Sequence, residues 1–463
     1  MSKSGHKNPI KGIKTGRIQR RASIAGAGVL AGSRMATSAW ANMFRSKEER
    51  EREHKRELAK QAQYFADELG KLKGSVVKVG QLLALYGEHI LPEEITKAFR
   101  SLEENTVAIN WESLEPHVKK ELGEKKFAQL SVDPTPIGAA SLAQVHRATH
   151  SDGRELCLKI QYPGVAESID SDLNDIAQLL RWSQVVSVGA EFSTWIEEVR
   201  DMLHREVDYK LEAQTTMEMY AQLKDDARFI VPEIVPELST GKILTASYEA
   251  GFSVQAKEVA ALSLARRNRL AKAFLELFFL EFFRWGKIQT DPNFGNYRIR
   301  IDEKHKDDQL VLLDFGAMMP YPEAFLDAVR KMIRGAYFND NTTIQLGAIE
   351  LGIMQTDYPQ DVLDDFSELC KTIIEPLVYD KDRDKDSLQK LGLLNKSLHY
   401  CWGKSNLPKR AAKHAARSAV SKYFKVPPKE FAFLSRKLLG VFSFIAALNA
   451  EFDGREILEQ FVE

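Results

Sequence analysis

Apolar residues recur at helical spacing through much of this chain. Residues 46–62 alternate acidic and basic side chains at i,i+4 spacing, which predicts a solvated helix. Residues 68–87 carry a broad apolar stripe and predict a helix with one packed face. Further helices are predicted over residues 92–130, 165–225 and 255–287, and throughout the chain after residue 320.

Alternating apolar and polar residues predict strands between these helices. Residues 141–163 alternate around Asp152-Gly153, a dipeptide typical of a β-hairpin turn. One further strand is predicted within 242–251, and a strand pair within 296–301 and 310–316. This order predicts an α+β fold with a small strand-containing lobe, a large helical lobe and a hinge near 245–255.

The composition is that of a globular protein, and the chain is long enough for two or three domains. It has 463 residues, of which 44% are apolar and 28% are charged. Cys157, Cys370 and Cys401 are widely spaced and form no metal or redox pattern, which favours a reduced compartment. Four segments are predicted: a basic segment (1–46), a helical extension (47–130), a small lobe with inserted helices (131–250) and a helical lobe (251–463).

Charge is distributed unevenly along the chain. Residues 1–47 contain ten Lys and Arg and no Asp or Glu, whereas the remainder carries 55 basic and 65 acidic residues. A basic arm before an acidic body predicts contact with an anionic lipid surface or a targeting receptor. No interleaved aromatic stripe supports binding to nucleic acid.

Residues 22–44 are the most apolar part of this basic arm. Arg34 interrupts them, and no stretch of the chain reaches about 18 uninterrupted apolar residues, so no firm transmembrane helix is predicted. An interfacial amphipathic helix beside the polybasic stretch is favoured. A flexible basic tail and a cleaved transit peptide are the alternatives.

Two motifs point to the binding of a phosphate-bearing ligand. Lys159 follows the Asp-Gly turn on a strand of otherwise buried residues, where a cation needs a partner or a ligand. Glu206, Asp208 and Glu212 are predicted to lie on one helix, and Glu212 is the predicted partner of Lys159. Glu206 or Asp208 would then pair with Lys78. An edge-strand lysine and an exposed acidic face are the alternatives.

A second pair of motifs follows downstream. In "QTDPNFGN", Asp291 and Asn296 are five residues apart, and Asp314 of "LLDFG" comes 18 residues after Asn296. A protein kinase uses this spacing for an Asp that orients or deprotonates an acceptor and for an Asn and an Asp that hold Mg²⁺. Asn296 and Asp314 supply the oxygen ligands that this ion prefers.

Two small-residue segments precede these motifs. Gly138, Ala139, Ala140 and Ser141 stand where a kinase has its glycine-rich loop, and small side chains let backbone amides approach phosphates. "KVGQ" places Lys78, Gly80 and Gln81 within the apolar helical stripe, and a glycine there indicates close packing. Packing of small residues and a snorkelling surface lysine are the alternatives.

The chain between the last motif and the next helix is short. Six residues separate Gly316 from Glu323, whereas an ordinary protein kinase places an activation loop of roughly twenty or more residues there. A platform for a peptide substrate is therefore not expected.

Together these motifs resemble the UbiB (AarF-type) family of atypical, kinase-like proteins of ubiquinone biosynthesis. The similarity runs from about residue 70 to 450 and is strongest to the mitochondrial-type branch and its bacterial relatives. It is carried by "PIGAASLAQVH", "CLKIQYPGVAESIDSDLND" and "QTDPN", including Gln289, where many bacterial members have histidine. "TGRIQRRASIAGAGVLAG" resembles the membrane-associating segment of that branch.

The resemblance implies a role for each motif. In this family the KxGQ helix (Lys78, Gly80, Gln81) packs over the active site and blocks the route for protein substrates. Lys78, Glu206, Asp208 and Asp291 are the implied catalytic residues, and Asn296 and Asp314 the implied metal ligands. Nucleotide binding is assigned to Lys159, Glu212, Gly138, Ala139, Ala140 and Ser141. Gly138 stands where an alanine run often begins, so nucleotide preference is expected to differ. Cys157 replaces a small alanine beneath the adenine, so a tighter pocket is expected.

The family also implies an activity and partners. The expected cofactors are ATP or ADP with Mg²⁺, in a membrane-associated ATPase or small-molecule kinase that supports coenzyme Q biosynthesis without phosphorylating proteins in trans. The alternatives are a catalytically silent, nucleotide-gated lipid-binding scaffold and a kinase of a lipid or small-molecule hydroxyl with Asp291 as base.

Expected partners are an anionic phospholipid surface and quinone-biosynthesis enzymes or isoprenoid quinone intermediates, with a homodimer as an option. The expected location is peripheral to a membrane, at a bacterial cytoplasmic face or the mitochondrial matrix side.

Overall fold

The computed structural model describes residues 78–80, 82, 108–182, 190–407, 410 and 429–462. The chain divides into two compact units. The first unit contains Met1–Gln214 and Glu233–Tyr248, and the second contains Thr215–Pro232 and Glu249–Glu463. The helix predicted at 46–62, the basic arm and Gln81 lie outside the described residues.

Nine strands and fourteen helices are defined within these ranges. The strands are β1 (Leu130–Ala139), β2 (Ala143–His150), β3 (Glu155–Gln161), β4 (Phe229–Ile230), β5 (Ile243–Ser247), β6 (Lys287–Gln289), β7 (Tyr297–Arg300), β8 (Gln309–Leu312) and β9 (Met318–Pro320). The helices are α1 (Trp111–Leu122), α2 (Glu124–Phe127), α3 (Val165–Trp182), α4 (Ala190–Glu206), α5 (Tyr209–Leu223), α6 (Lys257–Ala260), α7 (Leu264–Phe279), α8 (Glu323–Tyr337), α9 (Asn341–Glu350), α10 (Gln360–Ile373), α11 (Glu375–Val378), α12 (Lys381–Lys390), α13 (Lys429–Ala447) and α14 (Arg455–Val462).

The first unit is built on an antiparallel sheet with strand order β1-β2-β3-β5. The predicted hairpin is present as β2 and β3, and Gly153 turns the chain with a φ of 93°. One face of β3 presents Leu156, Leu158 and Ile160 to helix α1, where they form a buried core. The alternation of β3 turns Cys157 and Lys159 to the opposite face.

Strand β1 is not predicted from the sequence, and it begins at Leu130, the last residue of the range predicted to be helical. Helices α1 and α2 end at Phe127, and β1 then runs along the edge of the sheet from Leu130. Its pairing with β2 shifts register between Val132 and Pro136 and again between Pro136 and Gly138. Proline is tolerated on an edge strand because one side of the backbone needs no ladder hydrogen bond.

The second unit combines two small sheets with most of the helices. Strands β4, β8 and β7 form one sheet, and β6 pairs with β9 in the other. The predicted strand pair within 296–301 and 310–316 is present as β7 and β8. The helix predicted at 255–287 is divided: α6 stops at Ala260, Ser263 caps α7, and a π-helical turn continues from Leu280 to Trp285.

Phenylalanines of α7 and α13 form the interior of this unit. Phe274 of α7 stacks on Phe444 of α13 with ring centroids 4.1 Å apart. The apolar stretches at 273–285 and 439–450 therefore contribute to the core of this unit. None of the helices in the described ranges combines the length and apolar character needed to cross a bilayer.

Candidate active site

Lys159 and Glu212 form an ion pair in the first unit. Lys159 Nζ donates hydrogen bonds to both carboxylate oxygens of Glu212, at 2.6 and 2.9 Å. Strand β3 positions the lysine and the first turn of α5 positions the glutamate, whose side chain is only 4% exposed. A buried carboxylate needs such a partner because its desolvation is otherwise uncompensated. The pairing predicted from the sequence is present.

Lys78 also forms an ion pair in the first unit. It lies in a helical segment, half-buried, with its Nζ 2.7 Å from Glu206 Oε1. Gly80 is buried on the same segment, which agrees with the close packing that its position predicts. Of the two partners proposed for Lys78, the structure selects Glu206.

Asp208 corrects the prediction that Glu206, Asp208 and Glu212 share one helix. Glu206 is the last residue of α4, and α5 begins at Tyr209. Asp208 Oδ1 accepts hydrogen bonds from the backbone amides of Lys210 and Leu211, at 3.2 and 3.0 Å. The helix breaks because an aspartate at this position satisfies amides that the first turn of α5 leaves without intrahelical partners.

The small-residue segment lies where β1 turns into β2. Gly138 and Ala139 are the last residues of β1, and the Ala140 amide donates to the Ala143 carbonyl at 2.8 Å, which closes the turn. Ser141 is buried. A Cβ at Gly138 would meet only Val145 Cβ, at 3.9 Å, so the turn leaves room for alanine at this position.

Cys157 lies on the same face of β3 as Lys159. Burial raises the pKa of its thiol to about 11. The thiolate is therefore scarce at neutral pH, and Cys157 acts as a small apolar side chain.

The second unit brings together Asp291, Asn296 and Asp314. Asn296 Nδ2 donates to Asp291 Oδ2 at 2.9 Å, across the loop that joins β6 to β7. The Leu313 amide donates to the Asn296 carbonyl at 2.9 Å, which extends the β7–β8 ladder toward Asp314. Asp314 Oδ1 accepts from the Gly316 amide at 2.8 Å. Strand pairing thus makes neighbours of residues 18 positions apart.

The donor chemistry of this cluster suits a hard divalent cation. The Asn296 side-chain nitrogen is engaged with Asp291, so Asn296 Oδ1 remains as its ligand atom, and the Asp314 carboxylate supplies a second oxygen. Mg²⁺ prefers oxygen ligands and commonly completes its shell with water and substrate phosphates. In the part of the chain that the structure describes, no group of three or more His, Cys, Asp or Glu side chains could hold a metal ion. Asn296 and Asp314 together supply two oxygen ligands, which fits a metal ion that takes its remaining ligands from water and a phosphate-bearing ligand.

Gln289 connects the two acidic residues of this cluster. Its side-chain Oε1 accepts from the Asp291 amide at 3.1 Å, and its Nε2 donates to the Asp314 carbonyl at 2.6 Å. Gln289 is 3% exposed. This role of Gln289 is not predicted from the sequence, although its position two residues before Asp291 was a usable signal.

A buried ion pair that is not predicted from the sequence lies behind the same loop. Lys437 of α13 approaches Glu281 of the π-helical turn with an Nζ–Oε2 distance of 2.9 Å, and both side chains are at most 5% exposed. Burial raises the pKa of Glu281, and the charge of Lys437 opposes that rise. The available signal was one acidic and one basic residue, each inside a strongly apolar helical segment.

The sequence of this chain is similar to those of known atypical kinase-like proteins. A model of the ABC1 atypical kinase-like domain matches residues 101–346, more than half of the chain. The mitochondrial atypical kinase COQ8 of Saccharomyces cerevisiae is 32% identical over 325 residues, covering 70% of this chain and 63% of the relative. The mitochondrial atypical kinase coq-8 of Caenorhabditis elegans is 28% identical over 395 residues, covering 82% and 48%. The chain thus spans less than two thirds of the length of these two relatives.

A solved structure shares the fold. Rv3197 from Mycobacterium tuberculosis, determined as a complex with erythromycin, is 24% identical, with a TM-score of 0.56 over 90% of this chain and 98% of that protein. The sheet of the first unit and the helices of the second confirm the predicted α+β, kinase-like fold. The chain therefore belongs to the ABC1 atypical kinase-like family.

Proposed function

We propose that this protein binds an adenine nucleotide with Mg²⁺ and transfers or hydrolyses its terminal phosphoryl group. The observation that carries this proposal is the cluster of Asp291, Asn296 and Asp314, joined by the Asn296–Asp291 hydrogen bond and the Leu313–Asn296 backbone bond. This combination of an exposed carboxylate and two oxygen ligands is what phosphoryl transfer requires.

Each of these residues has a distinct proposed role. Asn296 and Asp314 would hold Mg²⁺, which when bound neutralises charge on the phosphates. The Asp291 side chain is 40% exposed, so an acceptor water or hydroxyl could reach its carboxylate. Asn296 orients that carboxylate through the Nδ2–Oδ2 hydrogen bond. Asp291 would accept a hydrogen bond from the attacking group and receive its proton.

Lys159 is the proposed phosphate ligand of the first unit. Its ammonium group donates to both oxygens of Glu212, and the Lys159 side chain as a whole is 25% exposed, so a ligand could reach it. The turn at Gly138–Ser141 is proposed to lie over the phosphates, since its side chains are small. Lys78, Glu206 and Asp208 would have the catalytic role that the resemblance implies.

The acceptor is proposed to be water, a lipid or another small molecule. The short segment between Gly316 and α8 contains strand β9 (Met318–Pro320), which pairs with β6. Half of this segment is therefore held in a sheet. This supports the proposal that proteins are not phosphorylated in trans.

Membrane association and a role in coenzyme Q biosynthesis complete the proposal. Their support is the resemblance to the UbiB family, the basic composition of residues 1–47 and the mitochondrial names of the relatives. An anionic lipid surface would attract the basic arm. The proposed location is the surface of a membrane on its matrix or cytoplasmic side.

The fate of the terminal phosphate of ATP tests this proposal. The full chain is incubated with [γ-³²P]ATP and Mg²⁺, with and without vesicles of anionic phospholipid, and label is followed into free phosphate, lipid extract and protein. Label released as phosphate or found in lipid, more rapidly with vesicles, is expected. Label in an added protein substrate would contradict the proposed acceptor. Nucleotide binding without any label transfer would favour the nucleotide-gated scaffold.

A further inference from the structure

Helix α13 packs directly against the loop that carries Asp291 and Asn296. A Cβ placed on Gly440 would lie 2.1 Å from Pro292 Cβ, so the two backbones approach as closely as glycine allows. Phe444, one helical turn further along, meets the ring of Phe294 edge-on with centroids 5.6 Å apart. The loop therefore rests on one face of this helix.

The same face of α13 provides the buried ion pair of Lys437 with Glu281. Lys437 is 2% exposed and lies one turn before Gly440. Replacing such a pair by apolar residues of similar size is often neutral or stabilising, because desolvation of both charges opposes their attraction. A contribution to stability therefore explains poorly why two charges are buried here. The hydrogen bond that Glu281 accepts from the Gln289 amide indicates a different role.

Glu281 is hydrogen-bonded to Gln289, two residues before Asp291. Its Oε2 accepts from the Gln289 amide at 3.3 Å, and the Gln289 side chain in turn contacts the Asp291 amide and the Asp314 carbonyl. A continuous set of polar contacts thus runs from Lys437 through Glu281 and Gln289 to the two acidic residues. The carboxylate sits on a π-helical turn, an irregularity that is frequent at functional sites.

We propose that Lys437 and Glu281 are positioning residues that fix Gln289 and, through it, Asp291 and Asp314. This inference rests on the proposed function, because it assigns the pair to the phosphoryl-transfer site. Catalytic groups have to be held within roughly 0.5 Å of their productive geometry, which requires supporting residues that are themselves locked. Loss of the pair should therefore impair turnover more than nucleotide binding.

The decisive variant replaces both charges together. Glu281→Leu with Lys437→Met removes the ion pair without leaving an unpaired buried charge, so the full chain is expected to fold. We expect kcat for Mg²⁺-dependent ATP hydrolysis to fall at least about tenfold, with the Kd for MgADP within about threefold of wild type. Amide exchange in the peptide covering residues 286–297 should become faster, whereas exchange in the β2–β3 hairpin should not change.

Two further variants keep the test decisive. Glu281→Gln with Lys437→Met also leaves no buried charge, keeps the shape of the glutamate side chain, and replaces the first double variant if that does not fold. Glu375→Gln is the matched control: it breaks the ion pair of Glu375 with Arg410 in the same unit, among contacts to Tyr400 rather than to the 286–297 loop. The control should leave kcat and exchange of that loop unchanged.

The two readouts separate this inference from the proposed function. Wild-type kcat and wild-type exchange in the double variant would show that the pair is only structural, which overturns the inference. If the wild-type protein does not hydrolyse ATP, the proposed function fails. Faster exchange confined to residues 286–297 would then still support the positioning role, and unchanged exchange would still overturn it.

Discussion

The ammonium group of Lys159 lies 2.6 and 2.9 Å from the two carboxylate oxygens of Glu212. The Glu212 side chain is 4% exposed and that of Lys159 is 25% exposed. Loss of the partner would therefore leave the carboxylate with less solvent to stabilise its charge than the ammonium group would have. The pair fixes helix α5 against strand β3 and holds the lysine in one orientation.

Removing the carboxylate should weaken both the fold and the ligand site. Glu212→Gln is expected to lower the free energy of unfolding by about 2 kcal/mol, since the lysine is only partly buried, and to weaken MgADP binding severalfold. Urea denaturation and calorimetric titration measure the two effects. Glu237→Gln, at a side chain that is 59% exposed, is the control. Unchanged affinity in Glu212→Gln would contradict the assignment of Lys159 to the nucleotide.

The ion pair of Lys78 with Glu206 should contribute little to stability. The two side chains are 23% and 37% exposed, and solvent screens their attraction. A double-mutant cycle with Lys78→Ala and Glu206→Ala is expected to give a coupling free energy of about 0.5 kcal/mol that decreases with added salt. A salt-independent coupling of several kcal/mol would indicate a fully desolvated pair and contradict this expectation.

Gly440 should not tolerate a side chain. The Cβ of Gly440→Ala would lie 2.1 Å from Pro292 Cβ, so the helix or the loop must move. We expect destabilisation of about 2 kcal/mol and a lower kcat, although alanine favours helix. Ser443→Ala, at an exposed position of the same helix, is the control. Wild-type stability and turnover in Gly440→Ala would show that α13 and the loop are not in contact.

His146 provides a pH dependence of stability. Its ring is buried: Nδ1 donates to the Asp133 carbonyl at 2.7 Å, and Nε2 accepts from Gln144 Nε2 at 2.7 Å. Gln144 also makes two hydrogen bonds to the backbone of Ile109. Burial lowers the pKa of His146, so the unfolded chain binds a proton more readily than the folded one.

Stability should therefore decrease as the pH falls below the ordinary histidine pKa of 6.5. His146→Gln should reduce the slope of the unfolding free energy against pH between pH 7 and 5. It should not remove the slope, since burial also lowers the pKa of His117. Urea denaturation at each pH gives the slopes, with the exposed His399 replaced by Gln as control. Identical slopes in His146→Gln and wild type would show that the His146 pKa is not depressed.

Local signals explain which elements the sequence predicts. The Asp152-Gly153 turn predicts the β2–β3 hairpin because only a few dipeptides tolerate its backbone conformation. Lys159 and Glu212 are predictable as a pair because a charge on a buried strand requires a partner. The β7–β8 pair is likewise predicted by alternation on either side of a charged turn.

Features that depend on tertiary context are not predictable in this way. Strand β1 contains Pro134 and Pro136, which obscure its alternation, and its position at the sheet edge is what makes them acceptable. The break between α4 and α5 depends on whether Asp208 caps a new helix or continues the old one, and both fit the pattern. Glu281 and Lys437 are 156 residues apart, so only the fold reveals that two charges in apolar helices are partners.

The most direct test of the account is whether Asp314 is required for Mg²⁺-dependent turnover of ATP. Phosphate release is measured with and without Mg²⁺ for the wild-type protein, Asp314→Asn and Asp307→Asn, the last at an exposed acid in the connection between β7 and β8. We expect Mg²⁺-dependent release by wild type and Asp307→Asn, and background release by Asp314→Asn. Equal release by all three proteins would contradict it.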